Sequence, residues 1–299
     1  MTPNRPVYGG QALIAGVMIR GAHAVTMAVR RPSGEIILRT DLLTSPVSRA
    51  LRRVPLMRGV LVLGEMLVIG TRALLYSASV AAEDEEGGSE LPAGAIWGTL
   101  AASLTLAVGL FFILPILLTR LVDPYLDSAL WSNVTEGLVR LVVFLAYLSA
   151  INLMADIRRV FAYHGAEHMT VHAYEHDQPM TVEAVRQFST AHPRCGTAFL
   201  LVVLVVAIAV FALLGDPPLA WRILSRILLL PVIAAISYEF IRWSGKHAEH
   251  PLVRLVVAPS LALQTLTTRP PDDSQIEVAI RAMEGALEAD AREAGPAPA

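Results

Sequence analysis

The chain is poor in cysteine and in charge. Cys195 is the only cysteine among 299 residues, so a disulfide within the chain is impossible and this residue is a free thiol or a ligand. Charged residues make up only 17% of the sequence and the formal net charge is −2, so no basic field indicates nucleic acid as a partner. Hydrophobic residues make up 54%, and the mean hydropathy is +0.54. This composition is typical of a polytopic membrane protein.

Four apolar stretches are candidates for crossing a bilayer, which takes about 20 residues. Residues 96–119 and 196–215 carry no charge at all. Residues 136–156 keep most polar groups near their ends, whereas residues 219–241 contain two arginines and a glutamate, which argues against free contact with lipid. The sequence therefore predicts a mainly α-helical membrane bundle of about four transmembrane helices.

The distribution of arginine predicts the orientation of this bundle. Ten arginines precede residue 96, whereas Arg120 is the only cation between the first two predicted spans. Short segments rich in arginine remain in the cytoplasm. We therefore expect a multi-pass protein of the cytoplasmic membrane, with the lipid bilayer as a partner and both termini in the cytoplasm. Residues 157–195 then lie on the cytoplasmic side as well.

The N-terminal region has the pattern of short strands and not that of a secretory signal peptide. Its first ten residues form a polar segment rich in glycine and proline, and Arg20 interrupts the apolar patch that follows. Residues 25–31 and 35–39 flank Pro32-Ser33-Gly34, which predicts a β-hairpin. Gly9, Gly10 and Gln11 are interpreted as turn residues. We predict a small β-rich cytoplasmic element at residues 1–55.

Three further regions complete the predicted organisation. Residues 56–90 combine a helix that is charged on one face, packed in the bundle or lying at the interface, with an acidic loop. Residues 91–270 form the transmembrane bundle, in which residues 251–266 are too short to cross and indicate a re-entrant or buried helix. Residues 271–299 form an amphipathic helix and a tail.

The strongest chemical pattern is His-Gly-Ala-Glu-His at residues 164–168. On a helix, His164 and His168 lie one turn apart on one face, and Glu167 lies in the same quadrant. This is the His-x-x-Glu-His order of inverted zincins. We therefore predict a divalent metal, best zinc, on the two histidines, with Glu167 as the catalytic base or a further ligand. Because residues 136–177 contain no proline, one continuous helix is expected to carry the motif out of the membrane.

Tetrahedral zinc needs at least one more protein ligand. Cys195 follows His192 by three residues, a spacing that can chelate a metal where the chain turns. Glu239 follows Glu167 by 72 residues, a separation broadly like that between the motif and the third ligand in inverted zincins. The candidates for the missing ligand are His192, Cys195, Glu239, His247 and His250.

Each of these assignments has a structural alternative. Histidines beside a membrane can simply be solvated, and a closed structural metal site uses the same ligands as a catalytic one. Cys195 is more often a small buried apolar residue than a ligand. Glu239 can be a partner of Arg242. His172 and His176, further along the same helix, are expected beside the ligands or on the surface.

Six motifs stand in order along the chain. They are Tyr8-Gly9-Gly10-Gln11-Ala12, Gly16-Val17-Met18-Ile19-Arg20-Gly21, Tyr163-His164-Gly165-Ala166-Glu167-His168, His192-Pro193-Arg194-Cys195-Gly196-Thr197, Ser237-Tyr238-Glu239 and Leu266-Thr267-Thr268-Arg269-Pro270-Pro271-Asp272-Asp273. Together they resemble the YqhQ-like family of bacterial multi-pass membrane proteins over nearly the whole chain. The resemblance implies membrane residence. That family is catalogued as a domain of unknown function and sometimes described as a predicted metal-dependent enzyme, so no catalytic residue carries over.

These patterns leave three classes of function open. The leading hypothesis is a membrane-embedded metal-dependent hydrolase that uses zinc at the cytoplasmic face and acts on a peptide, ester or phosphoester. The alternative is a non-enzymatic scaffold, insertion or regulatory protein with a structural metal or none. A transporter is the third, with Asn152, Arg222, Arg226 and Glu239 lining a polar path. An unidentified protein or peptide is the expected substrate or partner, and a homo-oligomer is left open.

Overall fold

The structure is a computed structural model that describes residues 7–43, 54–82, 93–215, 217–247 and 250–293. Within them the chain is mostly helical, as predicted, and the predicted β-rich N-terminal element is one four-stranded antiparallel sheet. The strands are β1 (Gly9–Leu13), β2 (Gly16–Arg20), β3 (Ala24–Arg30) and β4 (Ile36–Leu42). The helices are α1 (Met57–Ala81), α2 (Ala93–Val108), α3 (Leu114–Arg120), α4 (Ala129–Ile151), α5 (Ala155–Glu175), α6 (Val182–Val185), α7 (Gly196–Ala212), α8 (Leu219–Leu228), α9 (Leu230–Lys246), α10 (Pro251–Thr267) and α11 (Asp273–Glu293). The predicted acidic run at 83–88 and the tail at 295–299 lie outside the described residues.

The sheet is a meander in the order β1-β2-β3-β4. The predicted hairpin is β3 and β4, with Arg30 opposite Ile36 and Gly34 at a φ of 92° in the turn, a conformation that favours glycine. The interpretation of residues 9–11 as a turn is wrong, because they pair with residues 18–20 as strand β1. A short glycine-rich strand lacks the β-branched residues that mark strands in a sequence.

Helices cover both faces of the sheet. Val17, Ile19 and Ala28 belong to a buried cluster with apolar residues of α5 and α11. Met18 and Met27, which point to the other face, pack with residues of α1. The predicted amphipathic C-terminal helix is therefore α11, and its apolar stripe is buried against the sheet. The N-terminal and C-terminal elements form one module together with α5.

Several helices are long and apolar enough to span a membrane, which suggests a membrane protein. They are Met57–Ala81, Trp97–Arg120 and Ala129–Ile151, with Leu219–Leu228 and Leu230–Gly245 as a fourth if this bent pair is one span. The predicted spans 96–119 and 136–156 correspond to the second and third of these. The predicted span 196–215 is α7, a shorter apolar helix of 17 residues. The pair α8 and α9 bends by 44° next to Pro231, which lacks an N–H for the helix ladder.

Helix α1 passes the same length and hydropathy test although an amphipathic helix was predicted there. Its first turn packs against α9, where a Cβ on Gly59 would lie 3.2 Å from the Cα of Ala235. Further along, Glu65 pairs with Arg20 of the sheet at 3.1 Å, and Arg39 lies over the ring of Tyr76. These charged contacts join α1 to the sheet and would be costly in hydrocarbon.

The predicted continuous helix through residues 136–177 is wrong. Helix α4 ends at Ile151 and α5 begins at Ala155, with Met154 in an extended conformation between them. At this break Arg269 donates to the side-chain oxygen of Asn152, with Nη2 to Oδ1 at 3.0 Å. A residue more than a hundred positions away thus stabilises the break between the two helices. The sequence at the break contains no proline or glycine.

Candidate metal centre

Helix α5 places the three motif residues on one face, as predicted. Glu167 and His168 are 4% and 3% exposed, whereas His164 is half-buried. The helix can sink this deeply because residue 165 is glycine: a Cβ there would lie 2.2 Å from the carbonyl oxygen of Arg269. The segment that follows α10 therefore runs directly over the motif.

The two imidazoles of the motif are oriented by backbone carbonyls. His164 Nδ1 lies 2.8 Å from the oxygen of Thr267, and His168 Nδ1 lies 2.6 Å from the oxygen of Thr190. A carbonyl only accepts hydrogen bonds, so each Nδ1 carries the hydrogen and each Nε2 presents a lone pair. Histidines that bind metals are held in this way by their second nitrogen.

Cys195 completes a group of three ligand atoms. Its Sγ lies 3.3 Å from His164 Nε2, and the ligand atoms of His164, His168 and Cys195 all lie within 4.8 Å of one another. Tetrahedral zinc with ordinary bond lengths separates its ligand atoms by about 3.3 to 3.6 Å. Cys195 is also the N-cap of α7, where its sulfur accepts the N–H of Thr197. The group therefore needs only small adjustments to hold zinc.

The carboxyl group of Glu167 lies beside this group. Its Oε2 is 3.6 Å from His168 Nε2, and it accepts the backbone N–H of Gly10 from strand β1. Burial raises the pKa of Glu167, against smaller opposing effects of His164 and His192. Gly10 is required at this position, since a Cβ would lie 2.1 Å from the oxygen of Met18 and 3.0 Å from Glu167 Cγ.

Burial also favours the neutral form of three nearby histidines. It lowers the pKa of His168, lowers that of His192, and lowers that of His172 to about 4. A neutral imidazole is the form that coordinates a metal.

A second group, His172, Glu175 and His192, also brings three ligand atoms within 4.8 Å. In this group the position of the ring hydrogen of His192 argues against metal coordination. The backbone N–H of Arg194 donates to His192 Nδ1 at 3.2 Å, so His192 Nε2 carries the hydrogen, and it lies 3.5 Å from Glu175 Oε2. Arg194 also pairs with Glu175. The second group is thus a set of internal polar contacts, and His192 belongs to it instead of the first.

The remaining predicted ligands lie elsewhere. Glu239 accepts hydrogen bonds from the side chain of Arg58 and, at 3.2 Å, from the backbone N–H of Leu56, because α9 packs against α1. His247 Nδ1 lies 2.9 Å from the oxygen of Trp243, and His250 caps α10. Neither metal-ligand group found in the described part of the chain includes these three residues.

The polar path required by the transporter hypothesis is not assembled either. Arg222 and Arg226 bind Glu136 on α4, while Glu239 binds Arg58 on α1. Asn152 binds Arg269 at the start of the C-terminal module. The four residues proposed for the path thus lie in three separate contacts.

Several residues that shape the centre escaped the sequence analysis. Thr190 and Thr267 act through backbone carbonyls, which leave no side-chain signal. Gln264 holds His192 from both sides, accepting its backbone N–H at 2.8 Å and donating to its carbonyl at 2.9 Å. Gly10 and Thr267 lay in two of the six motifs, but their contacts with Glu167 and His164 are tertiary ones.

Comparison with known proteins identifies the chain's relatives. The family described as "Protein of unknown function (DUF1385)" matches residues 54–289. "Uncharacterized protein YqhQ" of Bacillus subtilis (strain 168) is 33% identical over 300 residues, which cover 96% of this chain and 94% of that protein. No solved structure matches the chain. The chain therefore belongs to the DUF1385 family, as the order of its motifs predicted.

Proposed function

We propose that this protein is a zinc-dependent hydrolase of the cytoplasmic membrane. His164 Nε2, His168 Nε2 and Cys195 Sγ would hold the ion and leave a fourth position beside Glu167. One observation carries the proposal: both imidazoles donate Nδ1–H to backbone carbonyls, so both Nε2 lone pairs converge near one thiol. Three protein ligands with an open position are the pattern of catalytic zinc.

The charges of the site support a divalent ion. A buried carboxyl group and a buried thiol are both costly to ionise without a cation nearby. Zinc carries two positive charges, which the thiolate of Cys195 and the carboxylate of Glu167 would balance. The group as a whole would then be neutral, although most of it is buried.

Glu167 is the residue that would move the proton. Bound zinc supplies a Lewis acid and lowers the pKa of a water molecule to about 7. Glu167 lies close enough to His168 Nε2 to accept the proton of an attacking water beside the ion. The N–H of Gly10 orients the carboxylate for this step. The substrate class consistent with this chemistry is a peptide, ester or phosphoester.

The same proposal places the centre at the cytoplasmic face of a multi-pass bundle with both termini inside. The packing of α11 and α5 against the N-terminal sheet supports it, because the two terminal elements and the motif then share one side of the membrane. The excess of arginine before residue 96 supports the cytoplasm as that side.

Metal content is the direct test. Protein purified without chelator or affinity tag should contain about one equivalent of zinc by elemental mass spectrometry. The variant His164→Ala/His168→Ala should contain almost none, and Cys195→Ser should bind zinc more weakly, since a thiolate ligand is lost. The matched control is His247→Ala/His250→Ala, which removes two histidines outside the group and should keep its zinc. Wild-type protein without a stoichiometric transition metal, or an unaffected double variant, overturns the proposal.

A structural metal site in a scaffold protein is the second candidate. The burial of Glu167 and His168, and the bond from Gly10 that ties β1 to α5, favour it. Cobalt substitution separates the two, because an open site accepts an added small anion and a closed site does not. Azide should change the visible spectrum of the cobalt protein if the centre is catalytic. An unchanged spectrum supports the scaffold.

A further inference from the structure

The two edges of the sheet are protected to very different degrees. Strand β1 is packed against α5, and the N–H of Gly10 on this edge is donated to Glu167. Strand β4 is the last strand of the sheet, and residues 38–42 are all exposed. Its sequence Ile-Ile-Leu-Arg-Thr-Asp-Leu contains no proline, and its two charged residues, Arg39 and Asp41, are opposite in sign. Leu38 and Leu42 are 40% and 55% exposed.

The hydrogen bonds to β3 show which groups of β4 point outward. Arg31 donates its N–H to Glu35 and Leu43 donates to His23, so the odd-numbered positions between them share hydrogen bonds with β3. The even-numbered residues Leu38, Thr40 and Leu42 therefore direct their N–H and C=O groups to the outer edge. Among the described residues, no strand pairs with that edge. Such a row of groups is a template for another strand.

We propose that β4 pairs with β4 of a second copy of this chain, antiparallel, with Thr40 opposite the partner's Thr40. In this register the outward-directed groups bond to each other, and Leu38 lies opposite the partner's Leu42. Arg39 lies opposite the partner's Asp41, and the two-fold symmetry makes this ion pair twice. Shifting one strand by two residues places Arg39 opposite the partner's Arg39, or Asp41 opposite the partner's Asp41. Either arrangement brings like charges together. Within one chain, Arg39 Nε donates to Asp41 Oδ1 at 3.2 Å, and both side chains are 51% exposed. In the dimer each arginine exchanges this contact for the partner's aspartate, so charge selects one register and the occupant of the edge is a second copy.

Charge reversal tests this register in the full-length protein. In detergent, mass photometry of the wild type over a dilution series should show a dimer. Arg39→Asp and Asp41→Arg should each weaken it at least about tenfold, because each places like charges opposite each other at both contacts. An equal mixture of the two variants should form the heterodimer, in which every contact is Asp with Arg, and the double variant should dimerise with itself. A wild-type monomer at every concentration, or a dimer that ignores these changes, overturns the proposal.

Cross-linking gives a second measurement that does not depend on charge. The Cα atoms of the two Thr40 residues would be about 5.5 Å apart, whereas those of the two Leu38 residues would be about 14 Å apart. A short thiol cross-linker should therefore join Thr40→Cys protomers and leave the matched control Leu38→Cys unjoined. The native thiol, Cys195, is buried and serves as background in the wild type. Equal yields for both variants contradict the register.

Discussion

Two buried carboxyl groups of this chain are held in opposite ways. Glu136 on α4 is 1% exposed and accepts hydrogen bonds from three guanidinium groups, Arg140 at 2.6 Å and Arg222 and Arg226 at 3.0 Å. Glu167 on α5 is almost as deeply buried, but it accepts a backbone N–H and lies among imidazoles. Burial lowers the pKa of two of them, His168 and His192. No arginine or lysine pairs with Glu167 among the described residues.

The two environments differ in the positive charge that they provide. A buried carboxylate needs a compensating cation, and Glu136 has its cations within the chain. Around Glu167 the described residues supply one backbone N–H, the imidazoles and a thiol, but no arginine or lysine. A cation from outside would satisfy this group, whereas the Glu136 network has no position for one. The first cluster is therefore structural, and the second fits a metal.

The largest expected effect is a loss of stability when Glu136 is replaced. The change Glu136→Gln keeps the shape but removes the carboxylate that Arg140, Arg222 and Arg226 share. Removing one partner of a buried ion network costs about 3–5 kcal/mol. We expect the free energy of unfolding, measured by denaturant titration in mild detergent, to fall by this amount.

The matched control is Glu239→Gln. Glu239 also binds an arginine, Arg58, but both side chains are partly exposed. Such a pair contributes about 1 kcal/mol or less. Equal losses for the two variants would mean that the Glu136 network is not the structural centre of the bundle.

Much of the fold could be predicted from local patterns. The hairpin follows from two alternating segments around a glycine turn, and α11 follows from apolar spacing after a proline stop. The break between α4 and α5 could not be predicted, because Arg269 holds it through Asn152 from far along the chain. The ends of the apolar helices could not be predicted either, because hydropathy does not indicate where packing bends a helix.

The candidate centre could be predicted only along one helix. His164 and His168 follow from helical periodicity, and Cys195 was one of several open alternatives. Choosing it over Glu239 requires knowing that the chain turns back at residues 176–195 while α9 packs against α1. Spacing within a helix is local, whereas a third ligand depends on tertiary contacts.

Acid should affect the histidine cluster before it affects most carboxyl groups. The pKa of His172 is about 4 in the folded protein against 6.5 for an ordinary histidine, so the fold favours the neutral form. Its contribution to stability is complete above pH 6.5 and is lost as the pH falls from 6.5 toward 4. Because His172 is partly exposed, we expect a loss of about 1 kcal/mol between pH 7 and pH 5.

Unfolding of chelator-treated protein at both pH values measures this loss. His172→Gln should reduce the pH dependence, and the control His176→Gln, on the exposed end of the helix, should keep it. A pH dependence that survives His172→Gln in full would assign it to other groups.

The smallest expected effect is that of Glu167→Gln in metal-free protein. Because burial raises the pKa of Glu167, the fold favours the neutral carboxyl, and its stability falls as the pH rises above the ordinary value of 4.5. A neutral amide can keep the bond from Gly10, so the metal-free variant should unfold within about 1 kcal/mol of the wild type. In zinc-loaded protein the same change should lower stability, because the amide does not balance the charge of the ion. The variant should therefore bind zinc more weakly in a competition titration. A metal-free variant as unstable as Glu136→Gln would place Glu167 among the structural carboxylates and remove the contrast between the two clusters.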